Sequence, residues 1–143
     1  MAKIQATRRI QFCAGHRVHG HESKCATPHG HNYVAFFHAE ANGLDDVGRV
    51  IDFSILKQKM GGWINDNWDH NFVVYCNDVL MINALAVAPK RKEPFLLVMN
   101  PTAENMAAYL LRTVAPKLMG GSGITITKVV LWETENCWAS AEL

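Results

Sequence analysis

Two alternating stretches near the start of the chain constrain its fold more than any other feature. From Lys3 to Phe12, the residues Ile4, Ala6, Arg8, Ile10 and Phe12 share one parity, and most of the other parity is polar, as in a half-buried strand. His29 to Ala41 reads as a long second strand that Asn42-Gly43 stops. The two predict an antiparallel ribbon. They are joined by Cys13 to Pro28, whose Gly, His and small polar residues mark a functional loop.

Beyond the ribbon, Phe53, Leu56 and Met60 recur at helical spacing behind a possible Asp52 cap, with Gly61-Gly62 weakening the middle. Phe72 to Ala88 is open between helix and irregular structure, Pro89 to Pro94 reads as a solvated loop, and Phe95 to Met99 is a short apolar run of strand type. A second helix is better marked. Thr102 offers an N-cap, Glu104 sits in the first turn, Met106, Leu110, Val114 and Leu118 repeat every fourth residue, and Gly120-Gly121-Ser122-Gly123 ends it. Ile124 to Thr134 is rich in β-branched residues, turns at Glu135-Asn136 and returns as Cys137 to Leu143. The order β-β-α-α-β-β predicts an α+β fold, a four-stranded antiparallel sheet with two helices on one face. Such a sheet has two long unpaired edges, so association with copies of the same chain is expected.

At 143 residues the chain suits one domain, taken as 1–143, and its 49% hydrophobic content excludes disorder as the main state. A formal net charge of +1 with no like-charge block gives no footprint for nucleic acid or anionic lipid. No apolar run approaches the ~18–20 residues that span a bilayer, and Met1 to Gln5 is no signal peptide. A cytoplasmic protein with no membrane partner is expected. Its four cysteines, Cys13, Cys25, Cys76 and Cys137, form no CxxC pair and should stay reduced.

His16, His19, His21, His29 and His31 fall within sixteen consecutive residues. On a strand, His29 and His31 leave the same face roughly 6–7 Å apart, close enough to share a cation with a third imidazole from a neighbouring strand. His16 is the natural third, with His19 and His21 as substitutes; three imidazoles and an open position would make a catalytic zinc site. Singly, each histidine could equally be a surface or core residue, and His38, of opposite parity, reads as structural. Cys25 lies four residues before His29, where a bound cation would favour thiolate, although a small buried cysteine fits the same sequence. Asp69-His70 sets a carboxylate beside an imidazole, either a proton relay or a simple turn. Glu133 is a carboxylate at a strand end.

Taken in order, Phe12-Cys13-Ala14-Gly15-His16-Arg17, Lys24 to Tyr33 with CxxxHGH, Ile51-Asp52-Phe53, Trp68-Asp69-His70, Asn100-Pro101-Thr102-Ala103-Glu104-Asn105 and Glu133-Thr134 resemble the 6-pyruvoyl-tetrahydropterin synthase superfamily. The Cys25 to His31 spacing resembles its bacterial 6-carboxy-tetrahydropterin synthase branch. The resemblance implies the tunnelling fold, with trimeric barrels stacked into a homohexamer. It also implies zinc on His16, His29 and His31, Cys25 as general base, Asp69 and His70 as its relay, and Glu133 holding the amino-pyrimidine edge of a pterin. The implied reaction converts 7,8-dihydroneopterin triphosphate into 6-carboxy-tetrahydropterin, acetaldehyde and triphosphate, on the way to 7-deazaguanine and queuosine. A 6-pyruvoyl-tetrahydropterin synthase, or a pterin- or metal-binding module without turnover, are the alternatives. Three departures stand out: Trp68 in place of a common Leu, Gly15 in place of a frequent Ala or Ser, and a longer stretch between His70 and Asn100 whose tip, Lys90-Arg91-Lys92, reads as solvated.

Overall fold

The computed structural model describes residues 2–143. Strand β1 (Ala6–His16) pairs antiparallel with β2 (His29–Ala41) from Ala6↔Ala39 to His16↔His29. The predicted ribbon is present, but β1 starts later and runs through Cys13 to His16, residues assigned above to the loop. What remains of the loop holds one short 3₁₀ turn, Lys24–Ala26.

Helix α1 spans residues 53–67 and passes straight through Gly61-Gly62. Its Asp52 cap is realised, the carboxylate accepting from the Ser54 amide at 2.8 Å. The helix widens into a π turn over Lys57–Gly61. There Gly61 comes so close to β1 that a Cβ would lie 3.2 Å from Ile10 Cδ1. Helix α3, residues 103–119, is capped by Thr102, which accepts from the Asn105 amide at 3.1 Å. Its own π turn, Leu110–Val114, ends two residues before Pro116, which has no N–H to donate back along the helix. Strands β5 (Ile124–Thr134) and β6 (Cys137–Glu142) form the expected hairpin.

The sheet differs from the expectation of four antiparallel strands and two helices. It has six strands in the order β4-β3-β1-β2-β5-β6, and a third helix lies between the two added strands. The stretch left open resolves into β3 (Asn71–Tyr75) and helix α2 (Val79–Ala86), and the short apolar run into β4 (Phe95–Leu97). Both added pairings are parallel: β3 meets β1 only at Ala14↔Asn71 and Gly15↔Phe72, and β4 meets β3 over three pairs. A compact apolar segment of strand, turn and helix has no single periodicity, which is why the sequence left it open.

Helices α1 and α3 cover one face of the sheet. Leu56, Met60 and Ile64 from α1 and Met106, Leu110 and Leu111 from α3 pack on Ile10, Phe12, Tyr33, Ala35, Phe37, Val129 and Leu131. Trp68 is fully buried beside Trp63, Phe95 and Tyr109, so this departure from the family pattern is accommodated by core packing. No described helix is long and apolar enough to cross a membrane. All four cysteines are free thiols.

Candidate metal centre and proton relay

Register alone brings three of the histidines together. Directly opposed residues of an antiparallel pair share a face, and His16↔His29 and Ala14↔His31 are opposed across β1 and β2. The three rings therefore continue the core face at its open end. Their ligand nitrogens all lie within 4.8 Å of one another, and the ring centroids are 4.7–5.1 Å apart. His16, expected just beyond β1, is its last residue.

Backbone carbonyls set the tautomers. His16 Nδ1 donates to Pro101 O at 2.7 Å and His29 Nδ1 to Thr27 O at 2.6 Å. A carbonyl can only accept, so each Nδ1 carries the proton and each Nε2 presents a lone pair. His16 Nε2 and His31 Nε2 are buried without a hydrogen-bond partner, which is costly unless something electrophilic meets them. Burial, aided by the neighbouring rings, pushes the His16 pKa down to about 4 despite the Pro101 bond. Burial, with His29 beside it, also lowers that of His31. Neutral rings with converging, unpartnered nitrogens fit a metal ion. His19 and His21 are not part of the cluster: His19 Nδ1 lies 3.7 Å from Asp78 and His21 Nδ1 lies 3.9 Å from Glu22. His38 bonds Thr7 at 3.0 Å on the same ribbon.

Glu133 faces the cluster from β5. Its Oε2 lies 3.6 Å from His16 Nε2 and 3.8 Å from His31 Nε2, without an ion-pair contact to His29. The β5–β6 register slips between Trp132 and Thr134, and a bulge of this kind re-aims a side chain. Burial raises the carboxyl pKa; His29 opposes this, and Glu104 across the site adds to it. Tyr33 stands edge-on to His16 and His31, its hydroxyl buried and unpartnered and its pKa raised by burial and by Glu133. Sequence reasoning assigned no site role to Tyr33, Glu104 or Pro101. Glu104 and Pro101 belong to the motif opening α3, which was the available signal; Tyr33 showed only as HGHNY, two residues beyond His31.

Asp69 and His70 occupy the turn between α1 and β3. Asp69 Oδ2 accepts from His70 Nδ1 at 2.9 Å, and Oδ1 accepts from the Cys13 amide at 2.9 Å. Burial opposes ionisation of Asp69, but the Cys13 amide, His70 and the Lys92 charge outweigh it and the pKa falls. His70 is the one non-glycine among the described residues with positive φ, at 54°. Its amide donates to Cys13 O and Lys92 donates to Asp69 O at 2.8 Å, so the strained turn is held from both sides. His70 and His29 line one cavity of about 610 Å³. Cys25 sits in the 3₁₀ turn, half-buried, and is not among the residues lining that cavity, whereas Cys13 is. Of the metal cluster only His29 shares this cavity with His70; His16, His31 and Glu133 do not line it, and Cys25 is placed two residues before the Thr27 carbonyl that holds His29.

Comparison with known proteins gives this geometry a context. The family model described as 6-pyruvoyl tetrahydropterin synthase matches residues 5–143. A 6-carboxy-5,6,7,8-tetrahydropterin synthase from Rickettsia felis is 39% identical over 135 residues, 94% of this chain and 97% of that protein. The protein of the same name from Rickettsia bellii is 38% identical over the same shares. Among solved structures, an uncharacterised protein from Wolinella succinogenes superposes with a TM-score of 0.84 at 20% identity, covering 99% of both chains. The 6-pyruvoyl tetrahydropterin synthase of Caenorhabditis elegans gives 0.66 at 24% identity, covering 100% of this chain and 97% of that one. At these identities the two structures speak to the fold alone.

Proposed function

The chain belongs to the 6-pyruvoyl tetrahydropterin synthase family, and from that premise we propose that it is a zinc-dependent 6-carboxy-5,6,7,8-tetrahydropterin synthase. Its substrate is 7,8-dihydroneopterin triphosphate and its products are 6-carboxy-tetrahydropterin, acetaldehyde and triphosphate, a step towards 7-deazaguanines. The observation that carries this reading is the convergence of three imidazoles on one point, with two of their nitrogens orphaned, beside the Glu133 carboxylate. The names borne by the Rickettsia relatives support carboxy over pyruvoyl product.

His16, His29 and His31 would hold the zinc, which when bound would supply Lewis-acid polarisation of the substrate's side-chain oxygens. Glu133 accepts the paired N–H donors of the amino-pyrimidine edge on its two carboxylate oxygens, which fixes the ring plane. Cys25 Sγ is the general base that takes a proton from the substrate side chain. With Nδ1 held by Asp69, His70 takes up and returns protons at Nε2. The reactive side chain lies between the zinc ligands and His70, consistent with the cavity that His29 and His70 share.

Product analysis tests the assignment. Zinc-loaded protein given 7,8-dihydroneopterin triphosphate should release acetaldehyde and 6-carboxy-tetrahydropterin in equal amounts. A pyruvoyl product without acetaldehyde would overturn the carboxy assignment. Cys25→Ala should abolish turnover and keep stoichiometric zinc, whereas His29→Ala and His31→Ala should each lose the metal. Absence of turnover in wild type and Cys25→Ala alike would make the chain a binding module.

A further inference from the structure

The added β3–α2–β4 unit carries three cations, Lys90, Arg91 and Lys92, on the loop between α2 and β4. Lys92 is not solvated as the sequence suggested. It donates to Asp69 O at 2.8 Å and also to Asn65 O, while Asn71 Nδ2 donates to Glu93 O at 2.9 Å. The loop is therefore fastened to the turn that bears Asp69 and His70.

Lys90 and Arg91 remain exposed beside that anchor. Lys90 makes one 3.3 Å bond to Ala86 O, and the Lys and Arg ion pairs of the described residues use Lys3, Arg17, Arg49 and Lys128, none from this loop. All three loop cations line the cavity of about 610 Å³ that also reaches His29 and His70, and no Asp or Glu lines it. Its floor includes the facing pair Gly15↔Gly30, which presents backbone and no side chain. Gly15 has a packing reason to stay glycine, because a Cβ there would sit 2.7 Å from the Phe72 ring. Gly15 and Gly30 lie on the strand face opposite the three imidazoles, so the loop cations are tied to the site through His70 and His29, which line the same cavity.

We propose that Lys90 and Arg91 form the subsite for the triphosphate tail of the substrate, with Lys92 as the positioning residue that fastens them beside His70. This role rests on the pterin-triphosphate reading above. His70, the relay residue of that reading, lines the same cavity as these cations, so a triphosphate released beside His70 meets the basic loop. An exposed guanidinium meets two phosphate oxygens at once and an ammonium adds a point charge, and neither Lys90 nor Arg91 is held in an ion pair, Glu93 on the same loop included.

Inorganic tripolyphosphate, titrated calorimetrically into the full chain in metal-free buffer because polyphosphates chelate divalent cations, reads the subsite without turnover. The KM for 7,8-dihydroneopterin triphosphate on zinc-loaded protein reads it in the reaction. In Lys90→Gln/Arg91→Gln both the tripolyphosphate Kd and the KM should rise by about tenfold per cation removed, with wild-type affinity falling as salt rises. The charge-matched control Arg112→Gln/Lys117→Gln on α3 should leave both constants in place. Unchanged constants in the double variant overturn the subsite and leave the catalytic reading intact. Arginine- and lysine-dependent tripolyphosphate binding without turnover in wild type overturns the catalytic reading and keeps the anion subsite, and absence of both overturns both.

Discussion

Burial holds the His16 imidazole neutral well below the usual histidine range, with a pKa near 4 against an ordinary 6.5, and this gives the metal-free chain a defined pH response. Between those two values the unfolded chain takes up a proton that the folded chain refuses at His16. Stability therefore falls as pH is lowered through that window, by on the order of 3 kcal/mol, and above 6.5 the contribution of this residue no longer varies. His31, also depressed by burial, adds a slope of the same sign. Urea midpoints of the metal-free protein should drop between pH 6.5 and 4, and His16→Gln should flatten that drop. Glutamine still offers Pro101 O an N–H donor, so the comparison isolates the titrating ring. An equal slope in His16→Gln would locate the response elsewhere.

Between elements, the contact that ties the site together is the fork from Arg17 to Asp78. Arg17 Nε and Nη2 each donate to an Asp78 carboxylate oxygen at 2.6 Å, and Asp78 also caps α2 through the Met81 amide at 3.3 Å. Arg17 Nη1 reaches Ala26 O at 3.4 Å, so one side chain joins the end of β1, the turn holding Cys25 and the start of α2. Asp78 is 1% exposed, and Arg17→Met would leave its buried charge with only the Met81 amide and the 3.7 Å contact to His19. That variant should lose about 3 kcal/mol in urea unfolding and alkylate faster at Cys25 in the folded state. An unchanged alkylation rate would show that the turn is held without Arg17. This clamp marks the limit of what the sequence disclosed. The ribbon, the final hairpin and the caps at Asp52 and Thr102 were legible because each depends on spacing within a dozen residues. So was the His16-His29-His31 set, which follows from the register of one hairpin. Strands β3 and β4, five and three residues long and paired in parallel across a helix, have no such local signature. Nor do Pro101 holding His16, 85 residues away, or the bulge that aims Glu133.

For the molecule as a whole, the single chain leaves its sheet unfinished. The outer edge of β1 is paired only at Ala14 and Gly15, and β6 forms the far edge of the sheet. The face away from α1 and α3 carries Phe36, Trp132 and Trp138 in a row, with ring centroids 5.2 and 5.5 Å apart and Trp138 58% exposed. Open edges and an aromatic face on the same sheet are both satisfied when strands of other copies extend the sheet and curl it so that this face turns inward. The added strands β3 and β4 leave this arrangement open, because β3 covers β1 only next to the Asp69-His70 turn and the edge from Ala6 to Cys13 stays free for a partner strand. Light scattering behind size exclusion should therefore give a multiple of the 16.0-kDa chain mass, six copies where trimeric barrels stack as the family resemblance implies. Trp138→Lys sets a charge on the face that would turn inward and should shift the population to smaller species, with turnover falling in step if subunits complete one another's sites. A chain that elutes as a monomer at micromolar concentration, with full turnover, would mean that the single subunit already contains everything the reaction needs.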